Sequence, residues 1–223
     1  MGCTESVPVS NAFEKVHNVN PSIPMLGKEQ GAGPSLHSSL QLIVREKLFT
    51  WSGDDFKIKM RGGAPFGNNL KMKGKVFGLR DQMVLLDGNN IPVAVCLRRL
   101  ELVGQTFKIY STRPLYPGQR PSDRKYNQYV LYTYAKVERI PLSTVQQVRF
   151  DNESSPSYMV YRAGGLWPKR RVVKLHGRPA ALMEGGTWEG NHNSYLLTIN
   201  PGIDPCLIVC LSAICDEMDE GRN

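Results

Sequence analysis

The sequence predicts a mostly-β fold: a closed antiparallel β-barrel around one apolar helix at the C-terminus. Two observations predict it. First, about ten to twelve short β-branched or aromatic runs follow one another between Leu40 and Asn200, separated by turn-rich pieces. No strong amphipathic helix lies between them. Strands at such spacing form sandwiches or barrels, and the lack of crossover helices argues against a parallel α/β sheet. Second, the run CLIVCLSAIC from Cys206 to Cys215 has one polar residue, Ser212, and is apolar on every side of a helix. Such a helix is enclosed by protein or sits in a membrane. Ten helical residues span about 15 Å, too little for a bilayer core of about 30 Å. A sheet closed around the helix satisfies both observations and removes the unpaired strand edges.

The elements follow in order. Residues 1–38 hold four prolines and no sustained apolar period, and read as a flexible arm. The domain is expected over 39–220. LQLIVREKLFTWSGDDFKIKM reads as strand, turn, strand, with the turn at Ser52 to Asp55. Phe56, Ile58 and Met60 then alternate with Lys57 and Lys59, the period of a half-buried strand. After the loop RGGAPFGNN, the run KMKGKVFGL puts Lys71, Lys73 and Lys75 on one face and Met72 and Val76 on the other. MVLL and PVAVCL form a hairpin about Asp87 to Asn90, residues that tolerate positive φ. QTFKIYST, YVLYTYAKVERI, STVQQVRF, SYMVYRAG, RVVKLHG and SYLLTIN continue the pattern. The helix is expected over 204–218, with Asp204 as N-cap and Pro205 at its first position.

Three separated motifs carry a family resemblance: LIVREKLFTWSGDDFKIK, KMKGKVFGLRDQMVLLDGNNIPVAVCLRR and GIDPCLIVCLSAICDEM. In this order they resemble the LURP-one-related proteins, over roughly residues 40–218. That family belongs to the tubby C-terminal-like superfamily, together with phospholipid scramblases. The resemblance implies a twelve-stranded barrel around a central C-terminal helix. It also implies phosphoinositide binding through basic residues on the barrel, although no one-to-one match of those residues can be made. RPLYPGQRPSDRKYNQ and the loop before SYMVY depart from the family pattern.

The charge is uneven. The chain carries +8, while residues 1–40 carry −1 and residues 204–223 carry −4, so the body from 41 to 203 holds +13. A basic body points to anionic partners such as lipid headgroups or nucleic acid, against the plainer reading of a solvated surface. The five cysteines form no paired spacing, and the opening MGCTESVPVS has neither a basic n-region nor an apolar h-region. The expected setting is a reducing, intracellular one.

The sharpest motif is MGCTES. It fits the M-G-x-x-x-[ST] pattern for myristoylation of Gly2, with Cys3 beside it for a palmitoyl group. One myristoyl chain binds membranes only marginally, so a second acyl chain on Cys3 gives the pairing a physical reason. Two basic clusters are candidates for anionic lipid: Lys71, Lys73 and Lys75, and then Lys169, Arg170, Arg171 and Lys174 within KRRVVK. The alternative is a charged strand face that blunts edge pairing. Gly62 and Gly67 have the spacing of a phosphate loop, but Asn68 and Asn69 stand where Lys and Ser/Thr are required. Cys206, Cys210 and Cys215 have no metal-ligand spacing and read as small buried hydrophobes. No nucleophile–base or carboxylate-pair motif is present, so neither an enzyme nor a cofactor is expected. The acidic DEMDE after the helix is unfavourable beside the helix C-terminal dipole.

These readings favour a non-enzymatic binding module. Acyl groups would hold it to the cytoplasmic face of the plasma membrane or an endomembrane in a eukaryotic cell, and anionic phospholipid headgroups would be its partner. A scramblase-like lipid transporter is a second reading. A soluble nucleic-acid-binding or transcription-modulating protein is a third and less favoured one, with Tyr126, Tyr129, Tyr132 and Tyr134 available for stacking.

Overall fold

The computed structural model describes residues 25–33, 35, 37–46, 55–75, 82–100, 105–152, 157–163, 170–188 and 191–220. The described strands are β1 (Leu40–Glu46), β2 (Asp55–Met60), β3 (Lys71–Lys75), β4 (Gln82–Leu86), β5 (Pro92–Leu100), β6 (Gln105–Ser111) and β7 (Lys125–Tyr126). Then come β8 (Tyr129–Val130), β9 (Tyr132–Arg139), β10 (Gln146–Phe150), β11 (Tyr158–Arg162), β12 (Arg170–Leu175), β13 (Arg178–Trp188) and β14 (Asn191–Ile199). One helix, α1 (Pro205–Glu220), follows. Twelve of these strands close into a barrel. Each pairs antiparallel with its chain neighbour, and β14 returns to pair with β1. Only the step from β6 to β9 is interrupted, by the β7–β8 hairpin, which lies outside the wall.

Period-2 alternation decides which side chains line the interior. Leu42 and Val44 of β1, Phe56 and Ile58 of β2 and Met72 of β3 are buried in the same core as Leu207, Leu211 and Ile214 of α1. Each such aliphatic removed from water contributes about 1.5–3 kcal/mol. The β4–β5 turn behaves as the sequence suggests: the Asp87 carboxylate accepts the Asn89 and Ile91 N–H groups at 2.9 and 2.8 Å, and Asn90 takes φ 63°.

The helix is buried from Cys206 through Cys215, and its one polar side chain there, Ser212, donates to the Val209 carbonyl at 2.8 Å. Both ends are tied to the wall. At the N-terminus the Asp204 carboxylate, 3% exposed, caps the first turn. One oxygen accepts the N–H of Cys206 at 2.9 Å and of Leu207 at 3.4 Å. The other accepts the Leu26 N–H at 2.8 Å and the Tyr134 hydroxyl at 3.1 Å. At the C-terminus Arg171 donates to the Cys215 carbonyl at 3.0 Å and to Asp219. Arg139 donates to the Met218 carbonyl at 3.3 Å, and the Tyr195 hydroxyl donates to Asp216. The acidic tail that opposes the helix dipole is thus offset by guanidinium groups from β9 and β12.

Two parts differ from the sequence expectation. The arm was expected to run to residue 38, but the described chain packs on the barrel from Met25 onward. Leu26 and Ala32 are buried in the main core, a 3-10 turn spans Lys28–Gln30, and Gly202 N–H bonds the Ser35 carbonyl at 2.8 Å. The helix also continues past 218, to Glu220. The β7–β8 hairpin, which begins at the end of the segment that departs from the family pattern, has a packing role. Leu131 at the end of the β7–β8 hairpin joins Val84, Leu86, Val95 and Tyr110 in a second apolar cluster, with Tyr126 and Leu97 packed against it. This cluster covers the outer face of β4–β6, so β4 is buried on both faces.

Gly27 has an ordinary φ of −101°, but a Cβ there would overlap Cys206 Sγ and the Ala32 side chain. Gly27→Ala is expected to destabilise the protein by about 1–3 kcal/mol in denaturant unfolding, as overpacking does. Burial pushes the Asp204 carboxyl above its ordinary value, and the N–H groups of Leu26, Leu207 and Cys206 and the Tyr134 hydroxyl pull it part of the way back. A raised folded value means that the native state holds this proton more tightly than the unfolded chain. The resulting stability is complete below about pH 4, the unfolded value, and is lost as pH rises through the folded value. Unfolding measured from pH 4 to 7 should therefore show the wild type losing stability relative to Asp204→Asn. A constant difference across that range would refute the assignment.

Candidate anion-binding face

The alternation that buries Phe56, Ile58 and Met72 turns the intervening lysines outward. Lys57 and Lys59 of β2 and Lys73 of β3 are exposed, and Lys71 is partly so. Lys57 stands directly opposite Lys71 in the register, while Lys73 faces Asp55 across the same pair of strands. Among the described residues none of these four lysines makes an ion pair. Lys75 ends β3 opposite Gln82, and its side chain lies outside the described residues. The lysine stripe expected from β3 alone is therefore half of a two-strand face. Lys57 and Lys59 were visible in the sequence as an alternating pair, but their place beside Lys71 is a matter of register, which the sequence does not carry.

The second expected cluster comes apart. Lys169 lies outside the described residues. Arg170 points outward, with its guanidinium 3.4 Å from Glu184 of β13. Arg171 points inward, is 2% exposed and is occupied by the helix C-terminus, which removes it from the candidates for lipid contact. The reason is parity: Val173 lies in the core, and Arg171 shares its face of β12. Lys174 points outward with its ammonium 5.1 Å from the centre of the Tyr161 ring. Around the barrel, β12 and β3 are separated by β13, β14, β1 and β2. The two clusters thus lie on nearly opposite walls and form no common patch.

Other candidates resolve simply. Cys96, Cys206, Cys210 and Cys215 are free and buried. Burial raises the Cys206 thiol well above its ordinary value and the Cys215 thiol to about 11. Among the described residues no group of His, Cys, Asp and Glu could hold a metal ion. The loop with phosphate-loop spacing uses its backbone internally: Gly63 N–H bonds the Met60 carbonyl, and Asn68 N–H bonds the Gln30 carbonyl. Tyr134 is spent on Asp204 and unavailable for stacking, and Tyr126 packs on the outer apolar cluster. Gly2 and Cys3 lie outside the described residues.

A closed antiparallel barrel of twelve strands filled by a C-terminal helix is a tubby-like fold. The family model for LURP-one-related proteins matches residues 40–216, and the chain belongs to that family. It is similar to "Protein LURP-one-related 15" of Arabidopsis thaliana, at 24% identity over 185 residues that make up 79% of this chain and 78% of that protein. It also shares its fold with a protein of Arabidopsis thaliana solved by X-ray crystallography, with a TM-score of 0.52 and 21% identity. That match covers 85% of this chain and 95% of the other.

Inward and outward cations should respond differently to mutation. Arg171→Met leaves Asp219, which is about a quarter exposed, beside unsatisfied helix carbonyls. It is expected to cost roughly 2 kcal/mol, less than the ~3–5 for breaking a fully buried pair. Lys73→Gln should stay within about 0.5 kcal/mol. Equal losses in urea unfolding would contradict this division.

Proposed function

We propose that this protein is a non-catalytic binding module, held to the cytoplasmic face of a membrane by acyl groups on Gly2 and Cys3, whose β2–β3 face rests on anionic phospholipid headgroups. The observation that carries this reading is the set of four outward lysines on adjacent strands, Lys57, Lys59, Lys71 and Lys73, with no ion pair among the described residues. Unpaired ammonium groups on an exposed face retain their whole charge for a partner. Near an anionic leaflet each is worth about 1 kcal/mol. The chain between Cys3 and Met25 spans at most ~75 Å when extended, ample for the barrel to turn this face toward the leaflet that holds the tether.

The scramblase reading is less well supported. Among the described residues no helix is long and apolar enough to cross a membrane. For α1 to leave the barrel, Asp204, Arg139 and Arg171 would all have to give up buried partners. The +13 body retains the nucleic-acid reading as the outcome to look for should the lipid test fail.

The test is sedimentation with phosphatidylserine vesicles at 0.1 M salt. Replacing Lys57, Lys59, Lys71 and Lys73 by Gln together should remove up to about 4 kcal/mol of binding, and added salt should mimic the loss, because exposed charges are screened. Expressed in eukaryotic cells, Gly2→Ala should lose the myristoyl mass increment and leave the membrane fraction. Vesicle binding unchanged by the four substitutions would overturn the lipid-facing role. An unmodified wild-type Gly2 would overturn the tether.

A further inference from the structure

The barrel end at which α1 begins is incompletely covered. Leu40 of β1 and Met60 of β2 stand at this rim, one step beyond Leu42 and Ile58 on the same faces of their strands. Leu42 and Ile58 are in the core, so alternation gives Leu40 and Met60 core-facing positions too. Met60 is nevertheless 38% exposed, and Leu40 is only partly buried. The cause is the segment that packs over this end. It passes the rim as Gly31 and Gly33, which have no side chains to lay over these residues. A groove of about 500 Å³ results, between this segment, Leu40, Met60, Pro65 and Phe66. Phe66 is 4% exposed and belongs to the main core, so the groove is an open extension of that core. A Cβ built at Gly31 or Gly33 meets no atom within 4 Å. None of the described lining residues is charged. Backbone groups beside the groove are used within the fold: Asn68 N–H bonds the Gln30 carbonyl, and the Ser35 carbonyl accepts the Gly202 N–H.

We infer that this groove holds the acyl chain on Gly2 of the same molecule. The inference rests on the reading that Gly2 is myristoylated. Three observations choose this occupant. The volume lies within the range of about 300–1,000 Å³ that small, largely apolar ligands fill. An amide-linked acyl chain is uncharged, as the described lining is, whereas a free fatty acid would bring a carboxylate that no described lining residue pairs. The chain also lies close at hand: its described part begins at Met25, just before the 3-10 turn Lys28–Gln30, and Gln30 itself lines the groove. The residues between Cys3 and Met25 reach about 75 Å when extended, enough to return Gly2 to the groove. The same apolar transfer that draws an acyl chain into a bilayer favours its burial here. Groove and bilayer therefore compete for one chain, and the singly acylated protein is held largely off the membrane.

The protein is produced together with a myristoyltransferase and a myristate analogue bearing a terminal diazirine, and acylation of Gly2 is read from intact mass. Light should join the chain to peptides of the same molecule that contain Gly33, Met60 or Phe66. With ordinary myristate, the protein is sedimented with phosphatidylcholine vesicles in 0.5 M salt, which screens the lysine face. Most of the wild type should stay in the supernatant. Gly33 has no positive φ, so Gly33→Leu fills the open space without backbone strain. Met60→Glu places a charge on the groove wall. Each should raise the vesicle-bound fraction at least threefold, and neither should do so when combined with Gly2→Ala. Thermal unfolding of each variant confirms that it is folded. A Gly2 that the transferase leaves unmodified would overturn the acylation reading and this inference with it. An acylated protein whose crosslinks fall outside the groove or join two molecules, or whose vesicle binding is unchanged by both variants, would overturn this inference alone. So would capture of added diazirine myristate in the groove of Gly2→Ala protein with no crosslink there from the chain on Gly2, which would assign the groove to a free fatty acid.

Discussion

Asp204 is a carboxylate almost without contact with water, and donors reach it from three separate parts of the chain. Two come from the first turn of α1, one from Leu26 far upstream and one from Tyr134 on β9. For a helix that is apolar all round in an apolar barrel, hydrophobic burial alone distinguishes poorly between neighbouring depths and rotations, because that term is not directional. Four hydrogen bonds to one buried carboxylate are directional, and at this end they fix the helix in depth and in rotation. The burial that lifts the carboxyl's proton affinity also strengthens each bond made to its charged form. The opposite end is fixed by Arg139 and Arg171, so α1 is held between polar anchors with its apolar length between them. The upstream segment from Met25 is part of the same arrangement: it brings the Leu26 N–H, and Gly27 lies flush against Cys206.

The cations at the helix C-terminus and those of the β2–β3 face differ in type. Inward positions near the helix C-terminus hold arginines, and the described outward positions of β2 and β3 hold lysines. The chemistry explains the division. A planar guanidinium can serve a carbonyl and a carboxylate at once and tolerates burial, as Arg171 does with Cys215 and Asp219. An ammonium is strongly hydrated and is held at lower cost in solvent, where Lys57 and Lys73 are. A basic cluster in the sequence is therefore not a basic patch in the fold. KRRVVK divides by strand parity into Arg170 and Lys174 outside and Arg171 inside.

The barrel and its helix were legible because each depends on a local period. Alternation in FKIKM and KMKGK assigns the faces of β2 and β3, and CLIVCLSAIC has no polar face at all. What was illegible depends on contacts distant in sequence. The segment GKEQGAG has neither period, so its order shows only against Asp204, Asn68 and Ala32's burial in the core. RPLYPGQRPSDRKYNQ, which leads into the hairpin, departs from the family pattern. The unbroken run MVLL, too apolar for a strand with one wet face, was the signal that something covers β4 from outside. The inward turn of Arg171 was available from the parity of Val173, but a run of adjacent basic residues hides that parity. Gly2, Cys3 and Lys169 lie where the structure describes nothing, and their roles remain sequence arguments.

Closure of the sheet has a consequence for how such a molecule meets its partners. An open sheet offers two faces, one of them usually buried, whereas a barrel filled by its own helix offers its whole circumference. Different walls then face different directions, and a planar surface can engage only a few neighbouring strands. In this chain the lysines of β2 and β3, which make no ion pair among the described residues, are bounded on one side by β4, where Val84 stands opposite Lys73 and Leu86 opposite Lys71. Both belong to the outer apolar cluster beneath the β7–β8 hairpin, so the charged face stops at β3 on that side. The face is exposed, and salt would screen any anionic surface laid against it.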